Sequence, residues 1–314
     1  MERIEAGEDR GRRILEQGEV TAETHRHGNI RFGTAGWAYT DWNGVLYPKP
    51  MLRGVDRLTY MTRYFDIIEV NSTFYAPADE SKVAGWLAKT ADAPDFRFAI
   101  KLWQRFTHER ESAWTRADER DARIALEPLH AAGRLGAVLV QFPWSFKRTE
   151  ENRTWLGDVV SAFREFPLVV EIRHESWNVP HFYESLSELG VGFVNIDQPL
   201  FRKSIKPSAA VTSPIGYVRV HGRNYKEWFR ESANVRERYD YLYSPDELAP
   251  WASRIEQIAA RADDVYVLTN NHNLGKAGVN ALQLESMITR RKVTAPPQLF
   301  ASYPDALAPF AEPG

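Results

Sequence analysis

The 314-residue chain contains no cysteine. That excludes disulfides, thiolate-held iron–sulfur clusters, zinc ribbons and a cysteine nucleophile. It also lacks any apolar run long enough to span a bilayer. The first 28 residues alternate charges and have no apolar core of the kind a signal peptide needs. These features predict a polar leader over 1–28, no membrane partner and a cytoplasmic location. The formal net charge is only -2, so nothing attracts the chain in bulk to nucleic acid. Nucleic acid is therefore not the expected partner, and recognition of any anion must be local. Two motifs are missing as well. No GxGxxG follows the first β-rich run, where GTAGW stands instead, and no HExxH occurs.

What the chain does have is one pattern repeated eight times from Asn29 onward. A short β-rich run ends in polar residues, and a helical or loop segment leads to the next run. The runs are 30–37, 66–73, 95–103, 135–143, 167–173, 191–197, 216–222 and 264–271. Amphipathic segments with helical spacing lie at 51–65, 81–91, 152–166, 244–262 and 276–291, and SPDE at 244–247 reads as a capped helix start. Segment 198–215 has weak helical character, so one helix is expected to be missing there or replaced by a loop. Strands alternating with crossovers of this length pair in parallel, and eight such units close into a barrel. The expected architecture is a single α/β domain, a (β/α)8 TIM-type barrel over 29–294, followed by a Pro-rich tail at 295–314.

Strands covered on both faces should read as nearly continuous apolar runs. These do not. In the second run Ile68 and Val70 share one face, while Glu69 and Asn71 share the other. The same parity turns Lys101, Gln141, Glu171 and Arg173 inward, together with Arg219 and His221. It also turns Phe193, Asn195 and Asp197 inward in the sixth run, and Tyr266, Leu268 and Asn270 in the eighth. The C-terminal mouth thus becomes the expected site, as in barrel enzymes generally. A purely structural network is the rival explanation, but buried ion pairs add little net stability after desolvation.

Three local motifs sharpen this expectation. HGRN (221–224) offers a titratable imidazole and a guanidinium that can grip an anion. NNHNLGKAG (270–278) places glycines ahead of a helix, where free backbone N–H groups suit an anion. EIRHESW (171–177) sets Glu171, Arg173 and His174 at a strand end. Aromatic residues, among them Trp37, Tyr39, Trp42, Tyr47, Tyr75, Trp103, Trp144, Trp177 and Trp228, gather near strand ends and could stack a ring.

The strings GTAGWAYTDWNGVLYP, EVNSTFY, FAIKLW, LVQFPWSF, EIRHESW, NIDQP, YVRVHGR, YDYLYS and LTNNHNLGKAGVNA closely resemble the YecE-like family, domain of unknown function 72, from about Asn29 to Arg291. The commoner GTSGW and FNN appear here as GTAGW and LTNN. The resemblance implies a TIM-type barrel and brings no established activity. Its signature positions match Glu69, Asn71, Lys101, Gln141, Glu171, Arg173, His174, Asp197, Arg219, His221, Gly222, Arg223 and Asn271.

The resulting expectation is an enzyme for a small phosphorylated or carboxylated molecule, working by metal-independent acid/base chemistry. Lys101, Glu171, Asp197 and His221 are the candidates for proton transfer. Asn71, Gln141, Arg173, Arg219, Arg223, Asn271 and Trp37 are the candidates for substrate binding. No cofactor is expected. The alternatives are a divalent-metal hydrolase acting on a nucleotide or nucleic-acid end, with Glu69, Glu171, Asp197 and His221 as ligands, and a non-catalytic ligand-binding or partner protein on the same scaffold.

Overall fold

The eight β-rich runs form eight parallel strands that close on themselves in sequence order. The computed structural model describes residues 29–225 and 239–314. The leader 1–28 and Trp228 lie outside the described residues. The strands are β1 (Ile30–Ala35), β2 (Ile67–Val70), β3 (Arg97–Lys101) and β4 (Leu135–Gln141), then β5 (Leu168–Glu171), β6 (Gly192–Asp197), β7 (Ile215–Val220) and β8 (Asp264–Thr269). Pairing of β8 with β1 closes the (β/α)8 barrel.

Helices cover the outside: α1 (Arg57–Met61), α2 (Ser72–Tyr75), α3 (Glu80–Lys89), α4 (Arg116–Ala131), α5 (Glu150–Ala162), α6 (Pro180–Glu188), α7 (Pro245–Ala259) and α8 (Lys276–Thr289). Helix α7 starts with the expected capping box, in which Ser244 and Glu247 each satisfy the other's backbone N–H. Thr115 and Asp118 do the same for α4, a helix beyond the five amphipathic segments expected, whose buried Ala122, Ala125, Leu126 and Leu129 recur at helical spacing. Among the described residues no helix is long and apolar enough to cross a membrane.

The barrel departs from regularity between β6 and β7. Residues 198–214 contain no helix, as the weak periodicity there predicts. The C-terminal segment is folded back onto the barrel. Two short helices, α9 (Pro297–Ser302) and α10 (Pro304–Leu307), lie between β9 (Val293–Ala295) and β10 (Ala311–Pro313), which pair in parallel. Leu299 and Leu307 are fully buried, and their cover explains why α8 is buried throughout Ala277–Ser286.

Candidate functional site at the barrel mouth

The register fixes which side chains look inward. Partners across a parallel ladder share a face, so Ala35, Glu69 and Ala99 form one inward layer. Lys101 aligns with Leu139, Gln141 with Glu171, and Arg219 with Leu268. Expected inward positions on six strands are thereby met.

Arg219 is the centre of the interior. Its guanidinium lies between two fully buried carboxylates, with Nη2 2.5 Å from Glu69 Oε1 and Nη1 donating to Glu171. Tyr217 donates to the other oxygen of Glu69 at 3.0 Å, and Arg173 Nε donates to Glu171 at 2.8 Å. Burial opposes ionisation of Glu171, yet Arg219 and Arg173 hold its carboxyl well below the ordinary range. His221, also fully buried, accepts from Asn270 Nδ2 through Nδ1 at 3.0 Å, which leaves the ring proton on Nε2, 3.5 Å from Glu171. Burial pushes its pKa down to about 3, so the ring is neutral at neutral pH.

Lys101 differs from its neighbours. Its ammonium lies 3.8 Å from the centre of the Phe74 ring, and among the described residues it has neither an ion pair nor a hydrogen bond. Burial first, and then Arg219, lower its pKa to about 7, against the opposing pull of Glu69 and Glu171.

Above this floor opens a cavity of about 530 Å³. Lys82, Lys101, Arg173 and Arg219 line it, with Asn71, Ser72 and Asn270, and among the described residues no carboxylate joins them. Its walls are Trp37, Tyr39, Phe74, Tyr75, Trp86, Tyr239 and His272. Tyr39 and His272 stack at 4.3 Å, and Tyr39 donates to the Ala35 carbonyl. Asn71 Oδ1 is buried and has no hydrogen-bond partner among the described residues. An acceptor of that kind is costly to leave unpaired and is a natural seat for a ligand donor.

Several sequence expectations are corrected. Strand β6 has the opposite facing: Val194 and Ile196 align with the inward Tyr217 and Arg219, so Phe193, Asn195 and Asp197 point outward. The missing helix is the cause. Loop residues 208–210 cover the outer face of β6, and Asn195 satisfies their polar groups, accepting from Ser208 at 2.7 Å and from the Ala210 N–H at 2.8 Å while donating to the Ala210 carbonyl at 2.9 Å. Phe193 packs edge-on against Tyr183 of α6. Asp197 is buried outside the barrel, where Arg223 Nε donates to it at 2.9 Å. Arg223 also reaches Glu247 of α7 and lies over Tyr243. Neither Asp197 nor Arg223 lines the mouth cavity, and Gly222 marks the turn that sends the chain outward, with φ +93° and Tyr241 too close for a side chain.

Asn271 also faces outward, donating to Asn280 and to the Tyr241 carbonyl; its neighbour Asn270 is the one at the cavity. The 270–278 loop is no open anion cradle. The Leu274 N–H is taken by Asp41, and Gly275 and Gly278 allow Leu299 and Leu46 to approach closely. Gln141 points inward but spends its amide on the Phe142 carbonyl. His174 is buried and hydrogen-bonded to Ser176. Trp42, Tyr47 and Trp177 are core residues. The four alternative metal ligands do not converge, because Arg219 occupies the space between Glu69 and Glu171 while Asp197 is on the other face. Lys82, Trp86, Tyr239 and His272 were not anticipated as site residues. For His272 and Asn270 the signal was present in the NNHN string; Lys82 and Trp86 sit on a helix whose outward periodicity hid them.

The outward placement of Asp197 has a direct consequence. Asp197→Ala leaves Arg223 without its buried partner and should cost about 2–3 kcal/mol, less than a fully buried pair because Arg223 reaches solvent. Anion affinity at the mouth should be unchanged. Denaturant unfolding alongside calorimetric titration with inorganic phosphate checks both; a stable variant with lost affinity would return Asp197 to the site.

Comparison with known proteins gives a consistent family. The family model described as "Protein of unknown function DUF72" matches residues 31–301. The UPF0759 protein YunF of Bacillus subtilis is 31% identical over 272 residues, covering 82% of this chain and 94% of that protein. The UPF0759 protein YecE of Escherichia coli K12 is 25% identical over 189 residues, covering 60% and 64%. Among solved structures, a DUF72 family protein from Thermotoga maritima superposes with a TM-score of 0.74 at 34% identity, covering 83% of this chain and 99% of that one. One from Enterococcus faecalis gives 0.70 at 25% identity, covering 83% and 95%.

Proposed function

The chain belongs to the DUF72 family, whose description assigns no reaction, and we propose from the site itself that it is an enzyme for a small anionic substrate, working by metal-independent acid/base chemistry at the barrel mouth. The observation that carries this reading is the lining of the cavity, where Lys82, Lys101, Arg173 and Arg219 stand among aromatic walls with no carboxylate among the described residues. Such a cavity attracts and desolvates an anion, and its low dielectric strengthens every charge interaction inside. Arg173 and Lys82 are the residues proposed to hold the anionic group. The aromatic walls suit the flat or apolar remainder of the molecule. Lys101, near 7, is poised to take up and return a proton at neutral pH. Glu171 and His221 take a different role from the one their residue types suggest. With Glu171 locked as a carboxylate and His221 locked neutral, they act as positioning residues that fix Arg219 and Arg173.

The test is a calorimetric titration of the full chain with inorganic phosphate and with small mono- and dicarboxylates. One anion class should bind saturably, and Arg173→Ala should weaken it at least about tenfold, the loss of one charge-assisted hydrogen bond. No saturable anion binding, or binding indifferent to Arg173, would sink the reading.

A further inference from the structure

The amine of Lys101 is placed for more than proton exchange. It sits at the floor of the cavity, in contact with the Phe74 ring, beside Arg219 and Arg173, and among the described residues without a partner of its own. A lysine that only neutralised the buried carboxylates would pair with one of them. Here Arg219 already takes both Glu69 and Glu171. Withdrawal from water and a neighbouring cation are the two conditions that turn a lysine into a nucleophile. A second observation comes from the neighbouring strand end, since Val70 pairs with Ile100: Asn71 Oδ1, buried and without a partner among the described residues, is an acceptor for a hydroxyl donor.

Resting on the anionic-substrate reading above, we propose that Lys101 forms an imine with its substrate, which makes that substrate a carbonyl compound bearing an anionic group, such as a 2-oxo acid or a phosphorylated aldehyde or ketone. The neutral amine nitrogen attacks the carbonyl carbon and forms the C–N bond. The carbonyl π electrons pass to oxygen, which takes a proton to give a carbinolamine hydroxyl within the same cavity as Asn71. The proton that makes this hydroxyl comes from the attacking nitrogen; one further proton from solvent lets the hydroxyl leave as water while the nitrogen lone pair forms the C=N bond, which leaves a protonated imine and consumes no oxidant or reductant. The iminium lies over the Phe74 ring, whose face favours a cation. It withdraws electrons from the adjacent carbon, so proton removal or carbon–carbon cleavage beside it becomes accessible. At pH 7 about half of Lys101 is neutral, against about one part in 3,000 of a lysine at 10.5. Lower basicity offsets part of that gain.

The test is reductive trapping. The full chain is incubated at pH 7 with pyruvate or with glyoxylate and cyanoborohydride, digested, and mapped by mass spectrometry. Lys101 should carry the adduct at a yield at least about tenfold above any other lysine, inorganic phosphate should suppress it, and Lys101→Arg and Lys101→Met should abolish it. Labelling spread over surface lysines and unchanged in both variants overturns the imine. If phosphate binding still depends on Arg173 while no Lys101 adduct forms, the anion site stands and only the imine falls. If neither appears, both readings fall together.

Discussion

Arg219→Met should unfold at a Tm about 10 °C below the native chain, from a loss of about 3–5 kcal/mol. The substitution leaves two carboxylates behind. Glu69 and Glu171 are both fully buried, and Arg219 is the cation between them. A buried ion pair adds little over a well-packed apolar replacement, but removing one partner strands a charge in low dielectric. Glu171 keeps Arg173, while among the described residues Glu69 keeps the Tyr217 hydroxyl and no cation in hydrogen-bond contact. The damage should therefore be repaired by removing charge: Arg219→Met combined with Glu69→Gln and Glu171→Gln should recover most of the loss. Dependence on pH carries a second signature. In the native chain the carboxyl of Glu171 is held far below its ordinary value of 4.5, so it contributes stability above that pH and loses it as acid reaches the folded value. Without Arg219 only Arg173 and His221 are left to lower it, so less stability is lost in acid and the variant's deficit should narrow as pH falls below 4.5. Melts from pH 4 to 8 decide it. A variant equally destabilised at every pH, and not helped by the double neutralisation, would show that packing and not charge explains the loss.

Lys101→Met should be more stable than the native chain at pH 7 and nearly inactive. A lysine whose folded pKa is about 7 and whose unfolded pKa is 10.5 binds fewer protons folded than unfolded between those values. The cost of holding it is full below pH 7 and is relieved as pH rises towards 10.5. The advantage of methionine should therefore be constant below pH 7 and shrink above it. Methionine also fits the apolar contact with Phe74. Turnover of whichever anion the cavity selects should fall by about 10²–10⁴-fold, the usual contribution of a proton-transferring group. A residue that costs stability where it stands and is needed for turnover follows the familiar opposition between stability and activity. A variant less stable at pH 7 yet fully active would make Lys101 a structural residue.

Much of this was legible in the residues. Eight β-rich runs ending in polar residues gave the barrel, and period-two parity brought Glu69, Lys101, Glu171, Arg219 and His221 together from four strands. Parity assigns the inner face correctly where an apolar helix covers the outer one. It fails at β6, where no helix follows and loop 208–210 needs the Asn195 amide, so a polar face there means outward. The same limit explains Arg223 and Asn271, which follow β7 and β8 and turn out to bind the chain to α7 and α8. Nor does parity reveal what folds over a strand end. Lys82 and Trp86 reach the cavity because the β2–α3 connection carries the helix there, a tertiary fact with no local periodicity.

The central claim is that the mouth is a cationic cavity built for an anion around a lysine poised near neutrality. It is tested most directly by following the Lys101 Cε signal by NMR in chain carrying ¹³C-labelled lysine, assigned by its loss in Lys101→Arg, across pH with and without saturating phosphate. The account predicts a titration at about 7 in the free protein, moving upward when the anion is bound. A titration near 10.5 that phosphate leaves in place would contradict it.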